Sequence, residues 1–206
     1  MSWYLVSPLF INTVVDEAFP FELPSTDQMA QMSDPEMSAL AEEFRSAMPS
    51  QDAMEGLSSA DRERVTTQVM EAAAVVLPDT VMDEPMPTSE AETAMALVSG
   101  QFGGADGGHR ASGTATVYRL PSGHLSLRLE DFRVINGPDL HVILSAHSAP
   151  KNREQLGEDY VDLGRLKGNI GNQNYRIPSD LDISDYASVV IYCVPFHVVF
   201  GSAALA

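Results

Sequence analysis

Apolar residues recur with two different periods along this chain, and the change falls near residue 99. Before it the spacing is helical. Met37, Leu40, Ala41, Phe44 and Met48 share one face of a helix predicted over residues 35–48. Ser33-Asp34-Pro35-Glu36 opens it with a capping residue, a proline at the first helical position and acid in the first turn. Val65, Val69, Ala72, Val76 and Leu77 define a second helix over residues 58–77, begun at Ser58-Ser59-Ala60-Asp61 and stopped by Pro78. A third pattern begins at Ser89, has Glu92 in the capping-box position and runs through Met95 to Val98. Residues 12–34, rich in Pro, Asp, Glu and Ser, read as an extended linker.

From Gly100 the period is two, and turns punctuate it. Ala115 to Leu120 and Leu125 to Leu129 flank Pro121-Ser122-Gly123-His124 as a hairpin, with Leu125, Leu127 and Leu129 toward the core. Further strands are predicted at Leu140 to Ser145, Tyr160 to Leu163, Asn174 to Ile177, Ser188 to Val194 and His197 to Phe200. Gly137-Pro138, Gly171-Asn172 and Pro178-Ser179-Asp180 supply turns. The expected fold is therefore mainly β, an antiparallel β-sandwich or barrel of seven to eight short strands preceded by an acidic, partly helical N-terminal region. The expected division is residues 1–98, an acidic linker or stalk with two to three short helices, and residues 99–206, the β domain.

Charge sharpens that division. The 206 residues carry 12 Lys and Arg against 29 Asp and Glu, a formal net charge of −17. Residues 1–98 hold 18 of the acids and only three bases, Arg45, Arg62 and Arg64. All ten methionines lie at or before Met95, whereas the histidines and the single cysteine follow Gly100. An acidic surface of this size repels phosphate backbones, which excludes nucleic acid as a partner class. Methionine at helical spacing reads as gap-filling core rather than a ligand surface. The short acidic helices can pack as a hairpin, dock on the β domain or only flicker, and exposed helices bearing Met can pair between chains as a homodimer. No stretch approaches the roughly 18 to 20 apolar residues that span a bilayer. The opening Trp3-Tyr4-Leu5-Val6-Ser7-Pro8-Leu9-Phe10-Ile11 reads either as the outer interfacial end of an upstream membrane anchor or as a short strand packed on the domain.

One cysteine permits no intramolecular disulfide, CxxC pair or zinc finger, so thiol chemistry rests on Cys193. It lies in Val190-Ile191-Tyr192-Cys193-Val194-Pro195-Phe196-His197-Val198-Val199-Phe200. In a straight strand Cys193 and His197 share a face but lie too far apart to share a metal. Pro195 predicts a bulge or corner that could swing His197 back toward Cys193. The run is similar to that of blue-copper proteins, in which a Cys, two His and a weak axial ligand hold copper. Its spacing is Cys-x-Pro-x-His, and no axial Met follows. Cys193 and His197 read equally as buried core residues. His109, in the glycine loop Gly107-Gly108-His109-Arg110, is the candidate second ligand or a turn residue. His141 and His147 read as solvent-facing, and Asp180, Asp182 and Asp185 as turn residues, because a calcium loop would need a Gly and a distal Glu. No GxSxG, HExxH or P-loop occurs.

An ordered set of motifs in residues 99–206 resembles the DM13 family, an electron-transfer module that accompanies DOMON domains in animals and stands alone in bacterial envelope proteins. The set comprises Ser99-Gly100-Gln101-Phe102; His109 with Gly113-Thr114-Ala115; Asp131-Phe132; Asn136-Gly137-Pro138-Asp139-Leu140; Leu163-Gly164 through Leu166-Lys167-Gly168-Asn169-Ile170-Gly171-Asn172-Gln173-Asn174-Tyr175 to Ile177-Pro178; and Tyr186 to Phe200. The resemblance implies an extracytoplasmic redox function centred on one cysteine, which maps onto Cys193. His197 and His109 are then candidate co-ligands for copper or haem, or the thiol works without a cofactor. The implied partner is a redox partner or another envelope protein. A rival expectation is a non-catalytic binding module, with Gly164 to Tyr175 as a recognition loop and Cys193 as core.

Overall fold

The computed structural model describes residues 19–86 and 94–206. The apolar run at residues 3–11 and the start of the third helical pattern, Ser89 to Glu92, lie outside the described residues. Helix α1 (Thr26–Met29) is followed by α2 (Asp34–Ala47), α3 (Gln51–Glu55) and α4 (Ser59–Val76). Capping sets where α2 and α4 begin. The Glu36 carboxylate accepts the Ser33 N–H at 2.7 Å, and the Ser58 hydroxyl accepts the Asp61 N–H at 3.2 Å. The linker reading of residues 12–34 is corrected over its described part. There α1 forms, and Phe19 and Phe21 pack edge-on against Phe44 at 6.0 and 5.5 Å between ring centroids. The apolar faces of α2 and α4 bury Leu40, Phe44, Val65, Val69 and Val76, with Met54 and Met70 filling gaps between them.

The β region is one nine-stranded, mixed sheet curled into a half-barrel. Its strands are β1 (Val81–Asp83), β2 (Met95–Gly104), β3 (Ala111–Arg119), β4 (Leu125–Val134), β5 (Leu140–Ser145), β6 (Tyr160–Arg165), β7 (Ile170–Ile177), β8 (Ser188–Cys193) and β9 (Val198–Ala204). The order is β1-β7-β4-β3-β2-β9-β8-β5-β6. The mainly β expectation holds, and the expected antiparallel sandwich or barrel of seven to eight strands is corrected in two respects. First, β1 comes from the acidic half and pairs in parallel with β7, Val81 opposite Ile170 and Asp83 opposite Asn172. Three residues are too few to show a period. Second, β2 pairs with β3 through Gln101 and with β9 from Phe102 to Gly104, so a single strand links what would have been two stacked sheets. Met95 to Val98, expected to be helical, are the first turn-free stretch of β2, where pairing with Arg119, Tyr118 and Val117 outweighs local preference.

The hollow of the sheet holds Leu127, Leu129, Phe132, Ile191, Cys193 and Phe200 in the same apolar cluster as Phe44, Val65 and Val76 of the helices. The core thus runs unbroken from helices to sheet. On the other face of β5, β8 and β9 a second cluster gathers Ile143, Val190, Tyr192 and Val199 beneath Leu156 of the short helix α5 (Arg153–Leu156).

A polar knot fastens the chain between α4 and β1 to the sheet. Asn169 is buried; its side-chain oxygen accepts the Thr80 N–H at 2.7 Å, and its amide donates to Asp79 at 2.7 Å and to the Val134 carbonyl at 3.2 Å. Asn136 donates to the Leu77 carbonyl, and Lys167 bridges to Glu84 at 2.8 Å. Gln173, fully buried, exchanges hydrogen bonds with the backbone of Gly168 and accepts the Tyr175 hydroxyl. The stretch Gly164 to Tyr175, expected to be a loop, is instead the end of β6, a turn and most of β7. Gly171 sits at φ 98°, and a Cβ there would run into the Met82 backbone. Gly171→Ala is expected to detach β1 at a cost of about 1–3 kcal/mol. Loss of amide protection at Ile170 and Glu84, which bond to Thr80 and Asn172 across this pair, would report it.

Candidate functional site: the Cys193 turn

Strand β8 is buried on both faces along its length because its odd and even residues enter different clusters. Cys193, at its end, points into the main core and has no exposed surface. The chain then reverses through Val194, Pro195, Phe196 and His197. The His197 N–H bonds to the Val194 carbonyl at 3.3 Å, and the Val194 N–H reaches the Asp139 carbonyl at 3.2 Å. His197 holds φ 56°, in the left-handed region where histidine is enriched among non-glycine residues. The corner expected at Pro195 is present.

Burial pushes the Cys193 thiol up to about 12, and the backbone N–H groups of Asp139 and Phe196 against the sulfur work in the opposite direction. At neutral pH it is a protonated thiol. The corner carries His197 to the side of Tyr192, whose hydroxyl lies 2.9 Å from Nδ1 of the imidazole. Tyr192 belongs to the second cluster, so His197 and Cys193 lie on opposite sides of β8. Burial, and next the charge of Arg153, hold His197 below its ordinary pKa. Tyr192 is pushed up to about 12, chiefly by burial.

His109 is tied down elsewhere. The Asp106 carboxylate accepts the backbone N–H groups of Gly108 and His109 at 2.8 and 2.7 Å and meets Nδ1 of His109 at 2.7 Å. Those bonds, led by the His109 amide, hold the Asp106 carboxyl below its usual range. The ring of His109 stands edge-on to Phe200, 4.7 Å between centroids. Cys193, His197 and His109 are thus held by three separate sets of partners. Among the described residues no group of three or more His, Cys, Asp or Glu side chains is gathered to hold a metal ion. As arranged, these three residues do not come together as ligands of one copper ion.

His141 is largely enclosed. Nδ1 lies 2.6 Å from Asp162 and Nε2 3.4 Å from Asp139, which also pairs with Arg165. Asp182 accepts the Ser184 N–H at 3.0 Å and caps a short 3-10 turn, Ile183–Asp185, as its turn chemistry suggested. The chain itself carried little sign that Asp139 and Phe196 would present amides to the sulfur, since backbone donors have no residue signature. Arg62 and Arg153, which act electrostatically on His197, were hidden by sequence distance.

The searches of curated proteins and of solved structures return no match. A family model described as Electron transfer DM13 matches residues 101–205, the span that holds the last four residues of β2, all of β3 to β9 and the Cys193 turn. Half the chain is covered. On that match, with the turn and its cysteine inside it, the chain belongs to the Electron transfer DM13 family, whose general role is electron transfer.

Proposed function

We propose that this protein is an extracytoplasmic electron-transfer module whose redox-active atom is the Cys193 sulfur. The observation that carries the reading is that the electron-transfer family match spans the only thiol in the chain, sealed in the apolar core. The apolar enclosure keeps water and bulk oxidants from over-oxidising the sulfur. Because the histidines are engaged elsewhere, the reading assigns no step to copper or haem. Its partner is a redox protein of the cell envelope.

The decisive experiment follows oxidation of the thiol by mass spectrometry during a redox titration. Visible spectra after adding Cu(II) or haem would be recorded alongside, for the native chain and Cys193→Ser. Reversible oxidation that disappears in the variant is expected. A signal unchanged in Cys193→Ser, or none in the native chain, would remove the assignment. The second reading, a binding module with Cys193 as core, is favoured by the sulfur's complete burial. It requires Cys193→Ala to lose stability and keep its partner, with no redox signal at any loading.

A further inference from the structure

A cavity of about 320 Å3 lies where the helices meet the β8–β9 turn. Met54, Glu55, Arg62, Arg153, Phe196 and His197 line it, so two guanidinium groups and an imidazole face a single carboxylate. In a chain with 12 bases and 29 acids, that reversal of sign is local and specific. Each of the three nitrogen-bearing side chains has donor capacity left over. Nδ1 of His197 is taken by the Tyr192 hydroxyl at 2.9 Å. If that hydroxyl donates, the neutral ring carries its hydrogen on Nε2. Arg153 touches Glu158 only at 3.7 Å, and its side chain is 53% exposed. Arg62 donates Nε to the Met54 carbonyl and Nη2 to the Glu55 and Leu57 carbonyls, which fixes its guanidinium. Its Nη1 makes no hydrogen bond to another described residue.

The electrostatics agree with this geometry. After burial, Arg153 and then Arg62 are the charges that depress His197, opposed by Glu55 and Glu158. A preformed cavity with an apolar floor and a few convergent donors is the usual form of a small-molecule site. We propose that this cavity binds a small organic carboxylate. Its charged head bonds to His197 Nε2 and the Arg153 guanidinium, within the field of Arg62, and its apolar body lies on Met54 and Phe196. Tyr192 acts as a positioning residue by holding the ring. The site is separate from the Cys193 sulfur, which lies across β8, so it stands whether or not that thiol is redox-active.

The test is calorimetric titration of the full chain with benzoate, and with acetate and inorganic phosphate beside it. The variants are Arg153→Ala, His197→Asn, which keeps a residue tolerated in the left-handed region, and Arg45→Ala as a control on α2. Saturable one-to-one benzoate binding is expected. Arg153→Ala and His197→Asn should each weaken it about tenfold, Arg45→Ala should leave it unchanged, and acetate should bind less tightly for want of an apolar body. Absence of saturable binding, affinity unchanged in Arg153→Ala, or benzoate no tighter than acetate or phosphate would each overturn the proposal. Should His197→Asn fail to fold, Arg153→Ala decides alone, because that side chain is half exposed and supports no core.

Discussion

Between pH 9 and pH 12 the folded protein is expected to lose about 1 kcal/mol of stability per pH unit through Cys193 alone. The thiol ordinarily titrates at 9.0 and is pushed up to about 12 by burial in the fold. Across that window the native state keeps a proton that the unfolded chain releases. The stabilisation is complete below pH 9 and fades as pH rises through the folded value. Tyr175 and Tyr192, each raised from 10.0 to about 12 mainly by burial, act in the same sense from pH 10 upward. Urea unfolding of the native chain and Cys193→Ala at pH 8, 10 and 11 separates the contributions. The variant should show a shallower decline by one proton's worth, because its own cavity cost does not depend on pH. Equal slopes would mean that the sulfur ionises within the fold, and the sealed environment described above would be wrong.

Asn169→Ala should be the most damaging single change in the knot, costing about 3 kcal/mol. The side chain satisfies the Thr80 N–H, the Val134 carbonyl and one oxygen of Asp79 at a buried site. Alanine leaves all three without that partner, and the loss weighs most on the carbonyl of Val134, which is buried. Asn136 still reaches Asp79 at 3.2 Å, so the carboxylate is not wholly abandoned. Chemical denaturation measures the loss, and hydrogen exchange locates it. Faster exchange should concentrate at β1 and the adjoining edge of β7, whereas the β3–β4 hairpin keeps its protection. A cost below about 1 kcal/mol, or exchange accelerated evenly over the sheet, would show that the knot does not hold β1 in place.

Much of the local architecture was legible because it is decided locally. Ser33 with Glu36 and Ser58 with Asp61 start α2 and α4 within a residue of where spacing and capping place them. The β3–β4 hairpin turns at Pro121 to His124, and Leu127 and Leu129 are fully buried as alternation requires. The lapse at Met95 to Val98 has the opposite cause. A capping-box pattern before it suggested a helix, but the partner that makes it a strand, β3, is contributed by residues 111–119. The same holds for β1, whose partner lies some ninety positions downstream.

The candidate site divides in the same way. Cys193 was visible as the only thiol, and the reversal beyond it was visible in Pro195. Which way the turn carries His197 was not, because a single backbone rotation decides between the Cys193 face and the Tyr192 face, and the Tyr192 hydroxyl selects the latter. His141 looked like a solvent-facing strand residue until Asp139 and Asp162 closed on it from neighbouring segments.

By itself, then, the sequence determined the helical caps, the alternation of the β region, the acidic N-terminal half and the identity of the one sulfur available for chemistry. Each depends on residues within a few positions of one another, where spacing and side-chain type act directly. Only the tertiary structure decided that β1 joins the sheet in parallel, that β2 fuses two sheets into one curled surface, and that Arg62 and Arg153 meet His197 across the seam with the helices. Those outcomes are set by long-range pairing and by burial of groups that must find partners once water is gone, and spacing along the chain carries no record of who those partners are.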